Sequence, residues 1–185
     1  ESKVYDGTEL MTRIVVSSSE VSNPAQYVLA TYSCSTASAG YSGRTLAASA
    51  TSGDGCINAG TYQVTLTLTQ AAVNAGYGFS ADSVTSATLI IHQRPVTIES
   101  HDNNKVYDGS DAAAIKNIRI VSGVVNGDTV TLNTTSVSGT YDSKHTGTWN
   151  ISPANAVTLN INPYQNYYIA DAGYSGSISA RPLAV

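Results

Sequence analysis

A period of two dominates the hydrophobic pattern. Tyr62, Val64, Leu66 and Leu68 alternate with Gln63, Thr65 and Thr67. The same alternation runs through Val130-Thr131-Leu132, Trp149-Asn150-Ile151 and Val157-Thr158-Leu159-Asn160-Ile161. Successive side chains of a strand point to opposite faces, so each run predicts a strand with one apolar face. Val64, Leu66, Leu68, Trp149, Ile151, Val157, Leu159 and Ile161 are the expected inward residues. Thr on the outward positions is β-branched and suits a pleated surface. Helical spacing appears only from Gln70 to Ala75, and Gly76 interrupts it. Asp6-Gly7, Gly53-Asp54-Gly55, Asn58-Ala59-Gly60, Asp108-Gly109 and Asn126-Gly127-Asp128 separate the runs as turns. Short strands at this spacing predict an all-β chain of two tandem antiparallel β-sandwich domains, Ig-like in architecture. A β-grasp-like mixed sheet is the alternative.

The chain also repeats itself. Lys3-Val4-Tyr5-Asp6-Gly7-Thr8 recurs as Lys105-Val106-Tyr107-Asp108-Gly109-Ser110, and Arg94-Pro95-Val96 recurs as Arg181-Pro182-Leu183. Each copy opens on Lys-Val-Tyr-Asp-Gly and closes on an apolar strand ending in Arg-Pro. The expected domains are residues 1–98 and 99–185, with Val96–Ser100 as the bridge between them. Asp-Gly after Tyr supplies a turn able to adopt positive φ. Tyr5 and Tyr107 are expected to place their rings in the core with the hydroxyl at the rim. Pro95 and Pro182 are expected to end or bend a strand, because Pro lacks the ladder donor. Placing Arg181–Val185 before Glu1 reproduces the internal junction minus four residues. That predicts one period of a head-to-tail array, with an assembly contact at Glu1 and Val185 and the loops flanking Tyr5 and Arg181.

Composition narrows the function. Lys+Arg is 9 against Asp+Glu 13, a formal net charge of −4, which excludes a phosphate-neutralising grip on nucleic acid. The longest apolar runs are a few residues, as in Leu89–Ile91, far short of the roughly 20 a spanning helix needs. The chain starts in mid-pattern with no signal peptide. A hydrophobic fraction of 42% still supports packed cores and disfavours disorder.

The motifs carry a resemblance. Asn104–Ser110, Val124–Leu132, Gly139–Lys144, Gly147-Thr148, Asn166–Ile169 and Ile178–Pro182 together make the second half similar to a YDG repeat domain. Such domains belong to large bacterial surface proteins and filamentous-haemagglutinin-like adhesins. The first half resembles the related MBG-type repeats through Tyr5–Thr8, Asn58–Val64 and Leu89–Pro95. It departs from them through a Cys-bearing insertion, and through Tyr77-Gly78-Phe79 where an Asn-Tyr pair is common. The resemblance implies tandem occurrence and an extracellular structural or adhesive role, and brings no catalytic residues.

Cys34 and Cys56 are the two cysteines. In a chain read as extracellular an even count favours one disulfide. Its loop of about 22 residues would stabilise by roughly 3 kcal/mol in the chain-entropy model. Two free thiols are the alternative; a metal site lacks CxxC or His support. His92, His101 and His145 are scattered, and no nucleophile elbow accompanies them. Asp102-Asn103-Asn104 with Asp108-Gly109 offers oxygens to a calcium ion, against the plainer reading of a solvated turn. Tyr41, Tyr77, Tyr164, Tyr167, Tyr168 and Tyr174 could contact sugars or partners, or simply pack. Asn133 and Asn150 sit in glycosylation sequons, read as coincidence in a bacterial surface protein, with Pro153 weakening the second. The expected function is therefore structural: a repeat unit of an extracellular bacterial fibre, stalk or adhesin, needing no cofactor or metal and performing no catalysis. Its expected partners are further copies of itself, in a covalent array or a filament, and a surface glycan or protein ligand. A carbohydrate- or host-protein-binding module is the alternative, and an enzyme accessory domain a third reading.

Overall fold

The structure, a computed structural model, describes residues 1–10, 17–18, 21–34, 44–47 and 56–184, with side chains described except at 32–34, 44–47 and 163. The chain forms two compact units. Unit 1 is Glu1–Gln93 with Tyr164–Asn166, and unit 2 is Arg94–Pro163 with Tyr167–Val185.

Unit 1 contains β1 (Ser2–Val4), β2 (Val28–Cys34), β3 (Arg44–Ala47), β4 (Gly60–Leu68), α1 (Gln70–Asn74) and β5 (Ser86–His92). Its sheet runs β1-β5-β4-β2-β3. The alternation read in β4 holds at Tyr62 and Val64, which are buried with Leu89 and Ile91 of β5; Leu66 and Leu68 are half-buried. The helical spacing yields one short helix. Thr69 caps it, its Oγ1 accepting from Ala72 N at 3.2 Å. Five residues are too few to hold a helix without tertiary packing, and Ala72 supplies that by being fully buried.

Unit 2 contains β6 (Arg94–Ser100), β7 (Lys105–Val106), β8 (Ala112–Ile115), β9 (Arg119–Ser122), β10 (Val137–Tyr141), β11 (Gly147–Pro153) and β12 (Tyr167–Ser179). Its sheet runs β8-β10-β11-β12-β6-β9, with β7 also on β12. One core gathers Ile98, Ile115, Ile118, Tyr141, Ile151, Tyr174 and Ile178, with Trp149 packed against it. Residues from both ends of the sheet thus share a single apolar interior.

Four expectations are corrected. The sheets are mixed rather than purely antiparallel: β1 runs parallel to β5, and β6 and β7 run parallel to β12. The opening segment of each unit lies beside its closing strand, and that return places the two in the same direction. Second, residues 96–100, expected as a bridge, lie within β6, and the compact units divide between Gln93 and Arg94. Third, Arg94-Pro95 begins a strand instead of ending one. A proline at the start of a strand costs no interior ladder bond, and Arg94 Nε donates to Gly123 O at 2.6 Å. Fourth, residues 130–132 and 157–161 form no strand beyond one bridge between Leu132 and Leu159. Backbone bonds still join the two segments, Thr131 N donating to Ile161 O at 3.0 Å, Asn133 N to Thr158 O at 2.9 Å and Asn160 N to Thr131 O at 2.7 Å, and side-chain oxygens add to them: Asn133 Oδ1 accepts from Thr158 N at 3.0 Å and Thr131 Oγ1 from Ile161 N at 3.1 Å. Val157 and Leu159 are half-buried, and Ile161 is exposed.

Candidate functional site

The twice-repeated opening motif is built as the same device in each unit. In unit 1 the Lys3 Nζ donates to Asp6 Oδ1 at 2.6 Å, Thr8 O at 2.6 Å and Thr8 Oγ1 at 2.8 Å. Asp6 Oδ1 in turn accepts from Thr8 N at 2.9 Å and from the Thr8 hydroxyl at 2.7 Å. In unit 2 the Lys105 Nζ donates to Asp108 Oδ1 at 2.9 Å, Ser110 O at 2.9 Å and Ala112 O at 3.0 Å. Asp108 Oδ1 accepts from Ser110 N at 2.9 Å and Ser110 Oγ at 3.0 Å. Between Asp and Thr or Ser stands a glycine at φ +78° (Gly7) or +84° (Gly109). Those are left-handed angles that favour glycine. The device is an Asp-capped turn with a lysine ammonium laid across it.

The carboxylates record the geometry. Lys105 first, then the Ser110 backbone and hydroxyl donors, hold the Asp108 carboxyl at about 2, below its ordinary 3.8. Lys3, then Thr8, holds Asp6 well below the carboxylate range. Each ammonium is committed to a carboxylate and to backbone carbonyls, so the arrangement fixes a turn. Lys3, Lys105, Thr8 and Ser110 were not among the expected site residues. The signal that finds them is the spacing Lys-x-x-Asp-x-Thr/Ser, present twice in the chain.

The two motif tyrosines diverge. Tyr5 is buried, whereas Tyr107 is 36% exposed, which corrects the expectation of a core ring in both copies. The buried-tyrosine role in unit 2 falls to Tyr141, whose hydroxyl donates to Asn103 O. Burial raises its pKa, and Lys105 Nζ lies 5.6 Å from its ring centroid.

The turn at residues 101–104 is occupied with holding unit 2 together. Buried Asn103 accepts from Lys116 N at 2.8 Å and donates to Ser175 O at 2.9 Å. Asn104 Oδ1 accepts from Ser177 N at 2.8 Å. These amide oxygens serve the backbone, which favours the structural reading of this turn over the calcium reading. Among the described residues no three His, Cys, Asp or Glu side chains cluster as metal ligands. His101 hydrogen-bonds Ser175 Oγ at 2.7 Å and Glu99 at 3.1 Å. Arg119, and then His101, lowers the Glu99 pKa. His92 lies in β5 of unit 1, and His145 precedes β11 of unit 2.

Cys56 is buried, and its backbone bridges to Leu10. Cys34 ends β2 opposite Tyr62, and its side chain lies outside the described residues. No disulfide is present among the described residues. Val185, Tyr41 and residues 53–55, where a turn was expected, also lie outside them. Glu1 is described: its amino group donates to Thr88 O at 3.1 Å. Arg181 and Pro182 are exposed beyond the end of β12.

Two mixed-sheet units, each opened by the same lysine-clamped turn, define a protein built from related β repeats. Sequence comparison gives the repeats their families: residues 1–93 match the MBG domain and residues 92–174 the YDG domain. The chain belongs to the MBG domain family through its first half and carries a YDG domain in its second. No curated protein and no solved structure matches it. The two matches meet where the compact units divide. No helix among the described residues is long and apolar enough to cross a membrane.

Proposed function

We propose that the protein is a structural repeat unit of an extracellular bacterial fibre, stalk or adhesin, arranged head to tail, with two Ig-like β units in series. One observation carries the reading. In unit 2 the chain enters on Arg94 beside Tyr167, at the start of β12, and runs parallel to that strand. It leaves after Ser179, at the strand's other end. Thirteen residues at about 3.3 Å each separate entry from exit by roughly 40 Å. A unit with entry and exit at opposite ends can be threaded in series without reversing the chain. The MBG and YDG matches and the repeated clamp support the same reading, as does a motif chemistry that stiffens turns. The rival reading, a carbohydrate- or host-protein-binding module, draws on a mixed polar and apolar cleft in unit 1 that Tyr27 and Tyr77 line together with Ser80 and Ser83.

Electron microscopy of the native material, with antibody labelling of intact cells, tests the proposal. Labelled extracellular fibres or stalks with a regular axial repeat are expected. Label confined to the cell interior, or dispersed particles without axial order, would refute it.

A further inference from the structure

The outer face of the unit 2 sheet carries a chain of polar side chains that the repeat motifs do not involve. Tyr174, Gly176 and Ile178 of β12 are buried, so Gly173, Ser175 and Ser177 occupy its opposite, outer face. Gly173 stands opposite Glu99 of β6, and Ser175 opposite Asn150 of β11. Four side chains join across this face. Arg119 Nη2 of β9 donates to Glu99 Oε1 at 3.0 Å. Glu99 Oε2 lies 3.1 Å from His101 Nε2, just beyond β6. His101 Nδ1 lies 2.7 Å from Ser175 Oγ.

The partners fix the protons. Arg119, and then His101, lowers the Glu99 pKa, so this side chain is a carboxylate at neutral pH and only accepts. The proton of the neutral imidazole therefore sits on Nε2, facing Glu99. That leaves the Nδ1 lone pair to accept from the Ser175 hydroxyl. Carboxylate, imidazole and hydroxyl, each within hydrogen-bond reach of the next, are the parts of a base-activated nucleophile. Holding the turn at 101–104 does not require them. Asn103 Nδ2 already donates to Ser175 O at 2.9 Å, and Asn104 Oδ1 accepts from Ser177 N at 2.8 Å. The face is also open: a Cβ added at Gly173 would meet nothing within 4 Å. Asn150 shares the face, and directly opposed residues have Cβ atoms about 4.5–5.5 Å apart. An amide donor thus stands within reach of an oxygen on a carbon bound to Ser175.

We propose that Ser175 is a nucleophile that takes an acyl group from a small ester, with His101 as its general base and Glu99 as a positioning residue. Ser175 Oγ attacks the ester carbonyl carbon while its proton passes to His101 Nδ1. The bond from that carbon to the alcohol oxygen breaks, and the imidazolium returns the proton to the departing oxygen. The products are acyl-Ser175 and a free alcohol. Water then attacks the acyl carbon by the same route, releasing the acid and restoring the hydroxyl. The His101 side chain is 51% exposed and that of Glu99 27%. A short acyl chain is the substrate class such an open face takes, and the acceleration is modest because water screens the charges. The activity is independent of the head-to-tail reading.

The test treats the full chain with p-nitrophenyl acetate and, separately, with an alkyl fluorophosphonate, which forms a stable bond from serine oxygen to phosphorus as fluoride leaves. Peptide mass spectrometry compares Ser175 with Ser177, a hydroxyl on the same face that donates to Asn104 Oδ1 at 2.9 Å. Ser175 should be labelled about tenfold faster or more. Both serines sit in the same molecules, so the comparison does not depend on how well a variant folds. His101→Ala should abolish the difference, and added imidazole should restore it. Glu99→Gln should slow the labelling and move the His101 nitrogen NMR shifts away from the Nε2–H tautomer, which a purely structural role for Glu99 would not do. Equal labelling of Ser175 and Ser177, or fast labelling of Ser175 that survives His101→Ala, overturns the proposal.

Discussion

Ile98 decides which unit owns the Arg-Pro strand. It is 1% exposed and packs with Ile115, Ile118, Tyr141, Ile151, Tyr174 and Ile178. Its strand pairs with β12 on one side and β9 on the other, so the site cannot collapse easily around a lost side chain. Truncating a buried isoleucine to alanine removes transfer energy and leaves a cavity, together costing about 2–5 kcal/mol. With a cost of about 3 kcal/mol and a urea slope of about 1.5 kcal/mol per molar, the midpoint of unit 2 falls by roughly 2 M. Ile98→Val, losing one methylene, costs about 0.5–1.5 kcal/mol and calibrates the series.

The assay is built into the chain. Trp149 is the single tryptophan, and it packs against the unit 2 core with its Nε1 donating to His145 O at 2.8 Å. Its fluorescence therefore follows unit 2 during urea unfolding. Ile98→Ala should lower the tryptophan midpoint. Val64→Ala, in the core of unit 1, should leave it in place. If residue 98 belonged to the first unit, the outcome would reverse: an unmoved tryptophan transition in Ile98→Ala would refute the assignment of β6 and the core argument built on it.

Two further outcomes concern the clamp and the buried tyrosine. In Lys105→Met, the Asp108 carboxyl should titrate closer to its ordinary 3.8 instead of about 2, as read by NMR of the side-chain carboxyl. Because the folded pKa is the depressed one, the clamp's contribution to stability is present above about pH 4 and lost as pH falls towards 2. Thermal melts of the wild type should lose stability through that window more steeply than those of Lys105→Met; parallel curves would contradict the clamp. Tyr141→Phe removes the donor to Asn103 O and should cost about 1–3 kcal/mol for a buried acceptor left unpaired. The tryptophan-monitored urea midpoint reads it, and an unchanged midpoint would show that this hydrogen bond contributes nothing net.

How far the sequence was legible depended on whether a feature is local. The clamp is local: lysine, aspartate and threonine or serine lie within six residues, so a repeated spacing marks a repeated turn, although the sequence alone does not say that the lysine lies across it. Tyr5 and Tyr107 occupy the same place in that motif yet differ in burial, because burial is set by strands far along the chain. The alternation over residues 157–161 marked its apolar positions in part, since Val157 and Leu159 do turn inward. It could not reveal that the pairing of 131–133 with 158–161 would shrink to a single bridge, with Thr131 and Asn133 adding side-chain acceptors to a few backbone bonds. The Arg-Pro segments show the limit most sharply. Read locally, a proline after an apolar strand closes that strand, and the boundary is drawn beyond it. In space the same residues open the next unit, because Pro95 sits at the one end of β6 where a missing donor is harmless and Val96 and Ile98 alternate into the new core. The repeat unit is thus offset from the apparent motif boundaries. A segment that reads as the end of one period in sequence, Arg94-Pro95-Val96, opens the strand of the next unit in structure.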